Sequence, residues 1–571
     1  MTKRTVQGLF AAILVILVIS VIVVGNIIEK RTPSKKHISN GELLAIYGLG
    51  EDDSDGQAAI ILQDSLVEEK ALVDNGQVYL EYSFVKANID DKFYWDNNEN
   101  VLIYTTPTDI IKADLGSGEY YVSKTKNETD YTIVKVIGSK TYIAMEYIML
   151  YSNVEYSYYE NPSRVCIKNE WNVTVNTATL KKGTKIRKSK SIKDDIIHSC
   201  DSDVEVTIIE KGSKWSDIMT EDGFFGYVQN ASLTKESEKT LTNDYKAPEY
   251  TGISLGKTVS LAWHMVTSSA ANAQLIDLVT PAKGLNVIAP TWYRLSDSEG
   301  NIDSIASADY VSRAHMLGLN VWASVDDQAE GVSDSDIFPY TSKRERIINQ
   351  LIASAIEYDL DGISLDIEFI TADIADDYIE FVRELSVKCR ANGIILSICD
   401  KMPEPSNRFM NLKAQGEVVD YVILMGYDEH WGPSSGAGSV ASLPWVTAGI
   451  QTAVDDVDSQ KVILAVPFYT RIWTENADGQ VVECVTVDMD TAIANLASKG
   501  VESVWVDNFG QYYGEYETGD GNVVRIWIED TRSIEEKLKL ISEYEIAGMA
   551  AWRLGLENSD LWNTIIKYTS S

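Results

Sequence analysis

Ser364, Asp366 and Glu368 stand at alternate positions in the run from Asp361 to Glu368, with Ile363, Leu365 and Ile367 between them. On an extended strand successive side chains point to opposite faces, so the three polar groups share one face and the isoleucines and leucine the other. Two carboxyl groups two positions apart on a face suited to burial repel each other and are costly to desolvate while both are charged. One pKa should therefore rise. Glu368, nearest the C-terminal end of the strand, is expected to be the protonated acid facing a substrate.

That strand needs a scaffold presenting its C-terminal end to solvent. From about residue 256 the sequence alternates apolar strand-like runs with helical patterns. The strands are expected at 259–265, 285–291, 319–325, 361–369, 394–400, 420–428, 461–469 and 546–554. Between them, Lys343–Tyr358 carries Ile347, Ile348, Leu351, Ile352 and Ala355 at the spacing of one buried helix face. Eight strand–helix units predict a (β/α)8 (TIM) barrel, whose site lies at the C-terminal ends of the strands. Roughly 75 residues separate the last two strands, with a helical stretch and a hairpin-like pair, and predict an inserted α+β lobe along one wall of a cleft.

Read together, these segments resemble glycoside hydrolase family 18, whose fourth strand carries DxxDxDxE. Met425-Gly-Tyr427-Asp428 matches the family's MxYD, Pro467-Phe-Tyr469 with Arg471 its PFYxR run, and the segment around Trp552 the end of the bacterial peptidoglycan and spore-cortex branch. The resemblance covers essentially all of 256–571. It implies a catalytic set of Glu368, Asp366 and Tyr427, and substrate contacts from Asp428, Met425, Trp552, Tyr469, Arg471 and Ser364. It also implies that the substrate's own N-acetyl oxygen is the nucleophile, so that no metal or cofactor is needed. Ser364 departs from the pattern: chitinases have Asp there, and serine cannot share a proton as a carboxylate does. The resemblance thus favours peptidoglycan. A chitinase-like enzyme on chitin oligomers, or a non-catalytic glycan-binding scaffold, is the alternative.

The rest of the chain reads as a delivery apparatus. Leu9 to Ile28 carries no charge and is long enough to cross a bilayer, so 1–8 is expected as a cytoplasmic tail, 9–28 as an uncleaved anchor and 29–40 as a linker. Lys3 and Arg4 precede the span, but Lys30, Arg31, Lys35 and Lys36 follow it, and the positive-inside rule then favours a cytoplasmic C-terminal part. Long domains translocate despite such charges, and the expected substrate lies outside, so an extracellular barrel is expected. Residues 41–170 hold an internal repeat in which Trp95–Tyr104 matches Tyr159–Lys168. This part resembles the copper amine oxidase N-terminal domain, without implying copper. Residues 171–235 resemble a bacterial Src-homology-3-type domain with landmarks Trp215, Gly226, Tyr227 and Val228, and 236–255 reads as a linker to the 256–571 barrel.

Eighty-five acidic against fifty basic residues give a formal charge of −35, which argues against a nucleic-acid partner and requires a ligand that is neutral or held by stacking and hydrogen bonds. Five cysteines without CxxC spacing form neither a disulfide framework nor a zinc site, although a Cys166–Cys200 bridge is possible in an exported chain. The expected partners are an N-acetylglucosamine-containing polysaccharide, the cell wall and the membrane.

Overall fold

A computed structural model describes residues 2–50, 56–201, 203–432 and 436–570. The chain divides into two compact units. One comprises residues 1–93, 113–120 and 126–247, the other residues 94–112, 121–125 and 248–571.

The first unit begins with a helix, Lys3–Arg31, exposed along its length. Among the described residues it is the one helix long and apolar enough to cross a membrane. At 1.5 Å per residue its 29 residues reach about 44 Å, more than the ~30 Å hydrocarbon core. Next comes a seven-stranded sheet drawn from residues 57–168. In it strand Gln77–Glu81 runs into helix Tyr82–Asn88, and strand Lys140–Ala144 into helix Met145–Met149. A second, antiparallel seven-stranded sheet spans 174–240. Ile61, Leu180, Ile218 and Phe224 belong to one core shared by the two sheets. All five cysteines of the chain are free thiols.

The second unit is built on eight parallel strands: β1 (Val259–His264), β2 (Val287–Leu295), β3 (Asn320–Asp326), β4 (Gly362–Asp366), β5 (Ile395–Lys401), β6 (Tyr421–Met425), β7 (Val462–Pro467) and β8 (Gly548–Trp552). Each pairs with the next, and β8 pairs with β1, so the sheet closes. It is a TIM barrel. Two cores result from the alternation of side chains. Ile363, Leu365 and Ile367 face outward and pack with apolar residues of the helices, including Ile347, Leu351 and Phe381. Leu261, Trp263, Trp322, Tyr421 and Ile463 fill the interior.

Between β7 and β8 lies the inserted lobe, a five-stranded antiparallel sheet with helix Met489–Ser498 against it. A buried polar chain fastens it. Ser439 Oγ donates to Gln511 Oε1 at 2.5 Å, Gln511 Nε2 donates to Glu529 Oε1 at 2.5 Å, and Lys537 Nζ donates to both Glu529 oxygens at 3.0 Å. Glu529 and Lys537 have no exposed side-chain surface.

The helices α1 (Thr341–Tyr358) and α2 (Ala375–Asn392) flank β4. α1 begins after Tyr340, which has no capping side chain. Its first amides are instead satisfied from a hairpin, Tyr94–Asp96 paired with Val101–Thr105. Asp96 Oδ2 accepts from Thr341 N at 2.7 Å and Thr341 Oγ1 at 2.5 Å, and Glu99 accepts from the amide and hydroxyl of Ser342. Carboxylates at a helix N-terminus satisfy orphan N–H groups and complement the helix dipole. Tyr94 donates to Asp377 Oδ1 at 2.6 Å and accepts from the buried Arg344, which is paired with the buried Glu384. Tyr94, Ile103 and Ile110 pack on Val387 of α2.

Candidate active site at the C-terminal ends of the strands

β4 ends at Asp366, and Glu368 lies two residues beyond, where the chain leaves the barrel. Asp366 is partly exposed at the floor of the opening, but its Oδ1 is buried and finds no protein hydrogen-bond partner. Desolvation first, then the charges of Glu368, Asp327 and Asp326, push its carboxyl up to about 8. Glu368, whose side chain is 28% exposed, is also shifted upward, by desolvation above all. Lys401 opposes that shift: its Nζ stands 3.8 Å from Glu368 Oε2 and donates to the Glu368 carbonyl at 3.2 Å. The larger resolved rise thus falls on Asp366, not on Glu368 as the strand pattern alone suggests, because a lysine from β5 faces the outer acid. Both carboxyls are pushed upward, and the rise on Asp366 leaves a proton on the pair at neutral pH.

The other expected residues lie on β4, β6, β7 and β8 or just past them. Tyr427, just past β6, packs on the barrel interior, and Asp366 and Glu368 are among the charges that face its hydroxyl. The turn that aims it needs Gly426, since a Cβ there would meet the Ala465 carbonyl oxygen at 2.7 Å. Asp428 follows in the left-handed region at φ 61°. Its Oδ1 accepts from Tyr469 Oη at 2.6 Å and Arg471 Nη2 at 2.7 Å, so these three residues form one braced cluster. Tyr427 and Tyr469 meet edge to face at 6.2 Å. Trp552, at the end of β8, packs against Trp263 with centroids 5.7 Å apart. Met425 and Glu368 both line a cleft of about 780 Å³, walled by the segment 403–413. Ser364 stands apart: it is fully buried, with its hydroxyl 3.6 Å from the Cys399 sulfur, and does not reach the opening.

Four nearby residues escape a reading of the strand motifs. Besides Lys401, Gln328 donates to Glu368 Oε1 at 3.3 Å. Asp326 is held by Arg294 at 2.6 Å, and Asp327 accepts from the backbone of Glu368 and Phe369. Their signal in sequence is position alone: each lies at the C-terminal end of a barrel strand or one to two residues beyond it.

An acid pair holding a proton at the mouth of a TIM barrel, with a tyrosine facing both acids, can protonate a leaving group and stabilise positive charge beside it. The family model for glycosyl hydrolases family 18 matches residues 297–557. The barrel belongs to that family. It is a glycoside hydrolase domain, with cortical fragment-lytic enzymes among its relatives. The copper amine oxidase N-terminal domain model matches residues 61–167. Among similar proteins, an uncharacterized glycosylase, YvbX, of Bacillus subtilis is 25% identical over 301 residues, covering 50% of this chain and 85% of that protein. A cortical fragment-lytic enzyme of the same organism is 27% identical over 228 residues, 38% of this chain and 52% of its own length. The crystal structure of the Bacillus cereus spore cortex-lytic enzyme SleL superposes with a TM-score of 0.50 at 19% identity, covering 59% of this chain and 79% of that one, and so shares the fold.

Proposed function

We propose that the chain is a membrane-anchored extracellular glycosidase that hydrolyses β-1,4 bonds of peptidoglycan beside N-acetylglucosamine, with retention of configuration. The observation that carries the reading is the acid pair: Asp366 and Glu368 follow one another out of β4, and burial raises both carboxyls. Two carboxyl groups on the same side of a sugar suit a substrate that brings its own nucleophile. The pair's proton passes from Asp366 to Glu368, which gives it to the glycosidic oxygen as the acetamido oxygen closes on C1 and the bond from C1 to the leaving sugar breaks. Asp366, then ionised, accepts the acetamido N–H through the buried oxygen that has no protein partner and faces the positive charge of the oxazolinium ion. Tyr427 donates its hydroxyl to the acetamido oxygen, and Trp552 forms the floor beneath the sugar. Glu368 then takes a proton from the incoming water.

Peptidoglycan is favoured over chitin by the names of similar proteins, a sporulation-specific glycosylase and a cortical fragment-lytic enzyme among them. The helix Lys3–Arg31 supplies the anchor.

The test is mass spectrometry of products from peptidoglycan and chitin oligomers offered side by side, with NMR of fresh product. Release of N-acetylglucosamine-ended muropeptides with an initial β anomer is expected. An initial α anomer, or brisk cutting of a glycan lacking N-acetyl groups, overturns the mechanism. Preference for chitin moves the substrate and leaves the chemistry.

A further inference from the structure

Behind the acid pair lies a second pair of carboxyl groups that the reaction does not touch. Asp327, one residue past β3, is 3% exposed, and its Oδ2 accepts the backbone N–H of Glu368 at 2.9 Å and of Phe369 at 2.8 Å. It therefore ties the segment on which Glu368 leaves the barrel. Its other oxygen, Oδ1, is buried with no further partner, and so is Oδ2 of Asp334, a residue 5% exposed in the loop between β3 and α1. The two side chains lie within hydrogen-bonding reach of each other. Two buried carboxylates in contact repel and leave acceptors unsatisfied, whereas one proton between them satisfies an oxygen on each side.

We propose that Asp327 and Asp334 share one proton, and that the pair is a positioning clamp on the loop carrying Glu368. Asp334 is the donor: its O–H points at Asp327, which stays anionic because two backbone amides donate to it. Burial, then the Asp327 charge, raises Asp334 to about 8. Other ionisable groups face the pair. Tyr378 of α2, itself shifted far upward by burial, has both aspartates among its neighbours. Glu368 and Asp366 from β4 stand on the far side of Asp327. No cation figures among the causes that shift either aspartate. Above pH ~8 the proton leaves, the two carboxylates repel, and the tie on the Glu368 segment loosens. The clamp's role in turnover rests on the function proposed above; the shared proton does not.

The experiment uses the full chain in mild detergent. Eleven of the thirteen tryptophans fall within 94–112 and 248–571, so tryptophan fluorescence follows unfolding of the unit that holds the pair. A carboxyl raised in the folded state gives stability that is complete below its unfolded pKa and is lost as pH rises through its folded one. Asp334→Asn can donate to Asp327 at any pH. Its unfolding midpoint should therefore gain on the wild type by about 2 °C for each pH unit between pH ~5 and ~8, then level off. Asp327→Asn should remove the same increment, and the double variant should add nothing. Should one variant fail to fold, the other carries the reading. A midpoint difference independent of pH overturns the shared proton. Asp327→Ala should lower kcat at least tenfold with KM unchanged, and an unchanged kcat overturns the clamp. A wild type inert on every N-acetylglucosamine polymer would defeat the proposed function, while the pH series would still decide the proton.

Discussion

At the scale of single residues the site is a set of carboxyl groups sorted by what surrounds them. Asp428 and Asp326 are held by arginines, Asp366 and Glu368 share a partly desolvated opening, and Asp327 faces two amides. Glu368→Gln should lower kcat by about 10²–10⁴-fold, since a general acid and base is lost, while an oligosaccharide still binds as judged by calorimetry. Lys401 offers a signed test. It holds the Glu368 carboxyl down against burial, so Lys401→Met should raise that pKa and move the alkaline limb of kcat/KM to higher pH. A limb that stays or moves down would mean that a different group sets it. The motif residues were legible because a strand's period of two puts Asp366 and Glu368 on one face whatever else the chain does. Lys401, Gln328, Asp327 and Asp334 were not, because they reach the site from other strands and loops and their types are ordinary for a surface. Ser364 shows the opposite failure: the alternation puts it on the right face, but too deep in the barrel to touch a ligand.

At the scale of elements, the parallel strands declare themselves as short apolar runs because both of their faces are buried, and all eight lie where the sequence predicts them. The interlobe network is less legible, since Glu529, Gln511 and Lys537 look like surface residues of a hairpin and a helix. Removing one partner from a fully buried ion pair strands the other, so Lys537→Met should destabilise the barrel by about 3–5 kcal/mol, read from a denaturant midpoint. α1 makes a similar point about caps. Its own sequence has no Ser, Thr, Asp or Asn immediately before Thr341, and the acids that serve it sit in a turn that reads as an ordinary hairpin tip. Asp96→Ala should cost about 1–2 kcal/mol in the unit that contains the barrel, although the substituted residue lies far outside 256–571. An unchanged midpoint would mean that water caps α1 equally well.

At the scale of the whole molecule the charges after the apolar helix argue one way and the substrate the other. With the barrel outside, protease added to intact cells should remove it and leave a short membrane-bound fragment. Protection in cells whose wall admits the protease would mean that Lys30, Arg31, Lys35 and Lys36 had decided the topology.

The hairpin that caps α1 has a consequence in time as well as in space. Asp96 and Thr341 are 245 positions apart in the chain. At about 5–20 residues per second, the cap leaves the ribosome roughly 12–50 s before the first turn of the helix it completes. Two strands alone are too few to be stable in water, and the hairpin belongs to a five-stranded sheet from residues 94–128 that is made with it. The order of synthesis thus favours this architecture, because the helix finds its acids already outside when it emerges. A chain in which the hairpin were made after the barrel would lose that head start.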